Sequence, residues 1–140
     1  MLDQNQHNEF VKGYISAALW SSNDDNMMPL DANFSDKDIN EYCKLKIKQE
    51  CLMFEEKNAT LLAEAYQLYD LKKDNGTSSP WFSAGIDFLL SRNKETSGFK
   101  DRGEEEVWQK LQEASEQWFP VKIIIHKELH YENNIPPDKL

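Results

Sequence analysis

Apolar residues recur every three or four positions along most of the chain, and this spacing constrains the fold more than any other feature. The clearest series is Ile39, Cys43, Ile47, Cys51 and Phe54. Apolar side chains at this spacing share one face of an α-helix, whereas a half-buried strand alternates every second residue. The same spacing predicts helices over residues 8–20, about 35–57, 59–71 and 101–119, and the apolar run at residues 88–90 suggests a short helix over 81–91.

Polar residues and prolines mark the ends of these predicted helices. Asn8 is a candidate N-cap for the first helix, and Ser35 with Asp38 forms a capping-box pattern for the second. Asn58 suits a break between the second helix and the third. Pro120 ends the last helix, because proline has no amide hydrogen to continue it.

After Pro120 the pattern changes to that of strands. Residues 121–126 contain three consecutive isoleucines and predict a strand, with residues 129–131 as its hairpin partner. The expected fold is therefore mainly α (α+β), a compact helical domain with a small C-terminal β-hairpin. With 140 residues, we expect a single domain over residues 1–132 and a flexible tail over 133–140.

Cysteine usage and hydropathy favour a cytoplasmic location. On one helix, Cys43 and Cys51 would lie about 12 Å apart, too far for a disulfide, so we interpret both as core residues. No run approaches the roughly 18 apolar residues of a membrane-spanning helix, so no membrane association is expected. The first residues lack the basic and apolar regions of a secretory signal.

The net charge of −9 argues against general nucleic-acid binding, which needs lysine and arginine to neutralise phosphates. Two interpretations remain for the acidic residues. They serve solubility, or they form a surface that attracts a basic, DNA-handling protein partner. The carboxylates that would form such an interface are Asp24, Asp25, Glu104, Glu105 and Glu106.

Searches for known catalytic and metal-binding patterns give no candidate. There is no P-loop, dinucleotide fingerprint or nucleophile elbow. The run from Asp36 to Ile47 fails as a calcium loop because Glu41 stands at the glycine position. The three histidines have no partners at zinc-ligand spacing. We therefore expect no cofactor, no metal and no catalytic residue of these types.

One polar segment, residues 84–103, stands out and is called the signature segment below. It places five polar side chains among glycines and aromatics: Asp87, Arg92, Asn93, Asp101 and Arg102. Aspartate and arginine together predict a charge-assisted network. That network would form a recognition site or active centre, or it would be a polar staple that pins an irregular loop against the helices.

At this segment the chain resembles an uncharacterised family of small proteins from bacteriophages and related mobile elements. The family signature has the form Gly-x-Asp-Phe-x-Leu-Thr-Arg-Asn-Gly-His-Gly-Ala-Gly-Phe-Trp-Asp-Arg-Gly. Residues 85–93 follow it with Ser91 in the threonine position, and Gly98-Phe99 and Asp101-Arg102-Gly103 follow it further on. Shorter matches lie at residues 18–22, 29–31 and 51–54, so the resemblance spans about residues 18–131.

Two departures from the family signature bear on function. Lys94-Glu95-Thr96 replaces Gly-His-Gly, and Lys100 replaces the tryptophan. A reaction that used the histidine would be lost here, which favours a scaffold or binding role. The resemblance implies a phage or prophage context, and hence a location in the cytoplasm of a bacterial host cell, and brings no activity with it.

Three functions are consistent with these features. The first is a non-enzymatic accessory protein that binds a host or phage protein, in its sharpest form an inhibitor of a host defence system of the anti-CRISPR or antirestriction kind. The second is an enzyme or binding protein of phage nucleic-acid metabolism, centred on the signature segment. The third is a structural or assembly protein. The sequence does not decide the oligomeric state.

Overall fold

A computed structural model describes residues 3–23, 27–71, 79–126 and 128–132. Within these ranges it has five α-helices: α1 (Gln4–Ser21), α2 (Glu41–Lys57), α3 (Ala59–Leu71), α4 (Pro80–Arg92) and α5 (Glu106–Glu116). Strands β1 (Lys122–His126) and β2 (Glu128–Glu132) pair antiparallel, with Ile124 opposite His130. The predicted mainly α fold with a small C-terminal hairpin is confirmed. The proposed tail, residues 133–140, lies outside the described residues.

The first two helices begin at different residues from those predicted. Asp3, rather than Asn8, caps α1, and its side chain accepts hydrogen bonds from the amides of Asn5 and Gln6. The capping box of Ser35 and Asp38 does form, but it starts a separate 3₁₀ turn at Asp36–Asp38. Asn40 then caps α2. The sequence contained these caps, but periodicity alone does not rank competing caps.

Helix α5 is shorter than the predicted helix over residues 101–119, because residues at both ends of that range form other hydrogen bonds. Phe99–Asp101 forms a 3₁₀ turn before the helix begins at Glu106. At the other end, the Phe119 carbonyl accepts two hydrogen bonds from Arg92. The run Glu104-Glu105-Glu106 nevertheless lies at the N-terminus of α5, where the helix dipole favours negative charge.

Helices α1 and α4 cross at two glycines, where their backbones come into contact. A Cβ atom added at Gly13 would lie 2.0 Å from the Phe82 carbonyl oxygen, and one at Gly85 would lie 2.0 Å from that of Phe10. No side chain fits in that space. The helix penalty of Gly13 is therefore offset by a close helix–helix contact.

An aromatic cluster fills the space around this crossing. Phe54 of α2 stacks on Phe88 of α4 with ring centroids 3.9 Å apart, and Phe10, Tyr14 and Phe99 pack around them. Both cysteines are reduced and buried on α2, as predicted. Burial also raises the pKa of the Cys51 thiol well above its usual value, so this thiol stays protonated.

None of the helices within the described ranges is long and apolar enough to cross a membrane.

The glycine crossing gives a first prediction. We expect Gly13→Ala and Gly85→Ala each to lower the free energy of unfolding by about 3 kcal/mol, because α1 and α4 must separate to admit a methyl group. Gly103→Ala is the matched control, since Gly103 is exposed and its φ is not positive. Urea denaturation measures all three. Equal stabilities of the Gly85 and Gly103 variants would contradict the proposed contact.

Candidate functional site

The signature segment contains an ion pair between Asp87, buried on α4, and the partly exposed Arg102 in the loop that follows it. Asp87 is 1% exposed and accepts hydrogen bonds from Arg102 Nε at 2.7 Å and Nη2 at 2.9 Å. The Tyr69 hydroxyl of α3 donates a third hydrogen bond to Asp87, and the Arg102 guanidinium lies over the Tyr69 ring. Burial, followed by the Asp87 charge, raises the pKa of Tyr69 well above its usual value. This bidentate pair joins α3, α4 and the loop.

Arg92, also 1% exposed, forms a second buried polar centre at the end of α4. Its Nη1 donates to Glu50 Oε1 at 2.8 Å and to the Tyr14 hydroxyl at 3.1 Å. Its Nε and Nη2 both donate to the Phe119 carbonyl. The guanidinium carbon also lies 5.2 Å from the Trp118 ring centroid. One side chain therefore links α1, α2 and the segment that follows α5.

Asn93 connects the end of α4 to the start of the hairpin. Its amide nitrogen donates to the Val121 carbonyl at 2.9 Å, and its oxygen accepts from the Val121 amide at 2.7 Å. Both hydrogen-bonding groups of the Val121 backbone are thus satisfied by one side chain. Asn93 determines where the chain enters β1.

The middle of the signature segment is held by Ser91 and Gln112. The Ser91 hydroxyl donates to Gln112 Oε1 and accepts from the Phe99 amide at 3.1 Å. Gln112 Oε1 also accepts from the Lys100 amide. Gly98 has a φ of 154° and lies close to Ser91. A Cβ atom added at Gly98 would be only 2.4 Å from Ser91 Oγ.

The remaining predicted site residues lie apart from these networks. Asp101 is exposed, and no described residue forms a hydrogen bond with its side chain. Glu104 and Glu106 are exposed, while Glu105 accepts from Trp108 Nε1 at 2.9 Å. The structure does not describe Asp24 and Asp25, so whether they join the acidic run stays a prediction.

These contacts fix what the signature segment can do chemically. Asp87, Arg92 and Asn93 direct their polar atoms toward other parts of the chain, and the Arg92 guanidinium donates to Glu50, Tyr14 and the Phe119 carbonyl. Arg102 is 40% exposed at its side chain and Asp101 is exposed, so these two residues remain accessible to a partner. The part of the chain that is described has no cluster of three or more metal-ligating side chains.

A feature that the sequence analysis missed lies on the outer face of α2. Tyr42, Leu45 and Met53 are 76%, 57% and 61% exposed, and Leu52 lies beside them on the same face. Near Met53, a cleft of about 310 Å³ is lined by Phe119 and reaches Arg92. The signal was present in the sequence, because α2 carries apolar residues on the side opposite its core series.

A second missed feature is a buried contact between His7 of α1 and Glu55 of α2. Nδ1 of His7 and Oε1 of Glu55 lie 2.6 Å apart, and the Glu55 side chain is only 2% exposed. Burial and then the Glu56 charge raise the pKa of Glu55 to about 8. Burial, followed by Lys48, lowers the pKa of His7. At neutral pH we therefore assign a neutral pair, in which the carboxyl O–H donates to Nδ1.

Comparison of the chain with protein-family models, with curated proteins and with solved structures finds no match.

The Arg92 contacts give a second prediction. Arg92→Met should lower the free energy of unfolding by about 3 kcal/mol, because Glu50 and the Phe119 carbonyl lose a charged donor in a buried site. Asp101→Asn, within the same segment, should change it by less than about 0.5 kcal/mol. Thermal and urea denaturation provide the measurement. An Arg92→Met variant as stable as Asp101→Asn would contradict the structural role.

The His7–Glu55 pair gives a third prediction, on pH. The pKa of Glu55 is higher in the folded protein than in the unfolded chain. At a pH between these two values, the folded protein holds a proton that the unfolded chain has lost, so the free energy of unfolding falls as the pH rises. The pKa of His7 is lowered in the folded protein, so His7 makes the free energy of unfolding rise with pH, mainly below pH 6.5. From pH 7 to 8.5 the Glu55 effect should therefore dominate and lower the free energy of unfolding by about 1 kcal/mol.

Glu55→Gln is the control for this pH dependence. The glutamine amide can donate to Nδ1 but does not titrate, so the variant should be more stable relative to wild type at pH 8.5 than at pH 7. A constant difference between the two proteins over this range would show that Glu55 does not carry the proton.

Proposed function

We propose that the protein acts by binding another protein and that the outer face of α2 is its contact surface. The observation that carries this proposal is the exposure of Tyr42, Leu45 and Met53 on a helix whose opposite face is buried in the core. Exposed apolar residues that share one helix face and are bordered by polar ones are typical of protein interfaces. The net charge of −9 favours a basic partner.

The sharper form of this proposal is an inhibitor of a host defence system, acting in the bacterial cytoplasm. Such systems bind DNA through basic surfaces, and an acidic protein can compete for them. Support comes from the charge balance, from the exposed Glu104 and Glu106, and from the resemblance to phage proteins. Glu105 is oriented by Trp108 within the same acidic run.

Backbone geometry supports the resemblance at two positions. Lys94 has a positive φ of 56°, a conformation that favours glycine, and the family signature has glycine at that position. Gly98 is present in both, and its φ together with the Ser91 contact leaves no room for a side chain.

The experiment is an affinity capture from nuclease-treated bacterial lysate with two matched variants. Leu45→Glu/Met53→Glu places charge on the outer face of α2 and should reduce recovery of a near-stoichiometric partner at least tenfold. Met27→Glu also charges an exposed apolar residue, but away from α2, and should leave recovery unchanged. Equal recovery with both variants would exclude the α2 surface, and capture of no stoichiometric protein would contradict a binding function.

The acidic contribution is tested on the captured partner. Neutralising Asp24, Asp25, Glu104, Glu105 and Glu106 to Asn or Gln should slow association and remove its dependence on ionic strength. The control neutralises five other carboxylates: Asp31, Asp36, Glu64, Glu95 and Glu113. If both sets slow association equally, only overall charge matters and the acidic interface is wrong.

A further inference from the structure

A cleft of about 590 Å³ opens between the junction of α2 with α3 and the start of α4, and the proposed function makes no use of it. Its volume lies within the usual range for small-ligand pockets. Ala59, Leu62 and Ala63 form an apolar wall, and Tyr66, Trp81 and Pro80 add flat surfaces. The cleft therefore suits a ligand with an apolar body.

The polar groups of the cleft are acidic or neutral. Glu55 and Glu56 line it together with Gln6 and Gln67, and no described lining residue is basic. Glu55 Oε1 contacts His7, whereas no residue in the described ranges forms a hydrogen bond with Glu55 Oε2. Glu55, whose side chain is 2% exposed, thus lines the same cleft as the aromatic rings of Tyr66 and Trp81.

We propose that this cleft binds an organic cation with an apolar body, of the kind represented by an arginine side chain. A guanidinium can pair with the Glu55 carboxylate, supported by the charge of Glu56. Its plane can lie against Trp81 or Tyr66, because aromatic faces attract cations. The alkyl part then covers Leu62 and the alanines. The inference does not rest on the proposed contact surface of α2.

Binding of a cation should release a proton. Glu55 holds a proton at neutral pH because its pKa is about 8, and a guanidinium stabilises the carboxylate instead. The proton passes from the Glu55–His7 pair to solvent. The charged and titratable groups that face this pair are Lys48, Cys51, Glu56 and Tyr66. Affinity should therefore rise about 5- to 10-fold from pH 6.5 to 7.5.

The test is isothermal titration calorimetry of the whole chain with two probes, n-butylguanidinium and the neutral-capped peptide acetyl-Gly-Arg-Gly-amide. At pH 7, we expect saturable binding with release of about one proton, measured in buffers of different ionisation enthalpy. Glu55→Gln should abolish the proton release and weaken binding at least tenfold. Glu113→Gln, an exposed carboxylate on α5, should change neither quantity.

The two probes distinguish two sources of the cation, a side chain of a protein partner and a small molecule. Binding of both probes, or of the peptide alone, assigns the site to a side chain of a protein partner. Binding of n-butylguanidinium alone assigns it to a small amine or guanidine. Absence of binding by both probes overturns the proposal. If Glu55→Gln does not fold, Trp81→Leu takes its place, and unchanged affinity in that variant overturns the site. Leu45→Glu/Met53→Glu should leave binding intact, so this result is independent of the proposed function.

Discussion

The contact between α1 and α4 is the interaction on which the rest of the structure depends. Gly13 and Gly85 allow the two backbones to meet without intervening side chains. Because the helices lie so close, Tyr14 of α1 reaches the Arg92 guanidinium at the end of α4. The same closeness brings Phe10 against Phe88, and the aromatic cluster then positions α2 through Phe54. The later elements attach to this pair, because Arg92 and Asn93 bind the backbone at Phe119 and Val121.

The polar residues of the signature segment have a structural role in this fold. Asp87 joins α4 to the loop through Arg102, Arg92 binds the Phe119 carbonyl after α5, and Asn93 satisfies the backbone at the start of β1. The outer face of α2 and the acidic residues at the start of α5 lie outside these contacts.

Sequence reasoning predicted the helices well and the site only in part, for physical reasons. Helical periodicity is local, so α3 was predicted to the residue, and the apolar run at residues 88–90 placed α4 to within one residue at each end. The start of α5 was wrong because the Phe99–Asp101 turn competes for the same residues. The charged network was expected, but its partners were not, since the contact of Arg92 with Glu50 spans 42 positions. The His7–Glu55 pair spans 48 positions and has no local pattern, although a glutamate beside the apolar series of α2 was a usable signal.

The most direct test of this account is amide hydrogen exchange of the signature segment, followed by NMR. The amides of Phe99, Lys100 and Val121 donate to the side chains of Ser91, Gln112 and Asn93. If these side chains hold the backbone in place, the three amides should exchange slowly, on the timescale of the α4 amides. The amides of the exposed Thr96 and Ser97 should exchange fast. Fast exchange at Phe99, Lys100 and Val121, equal to that at Thr96, would contradict the structural role of the signature residues.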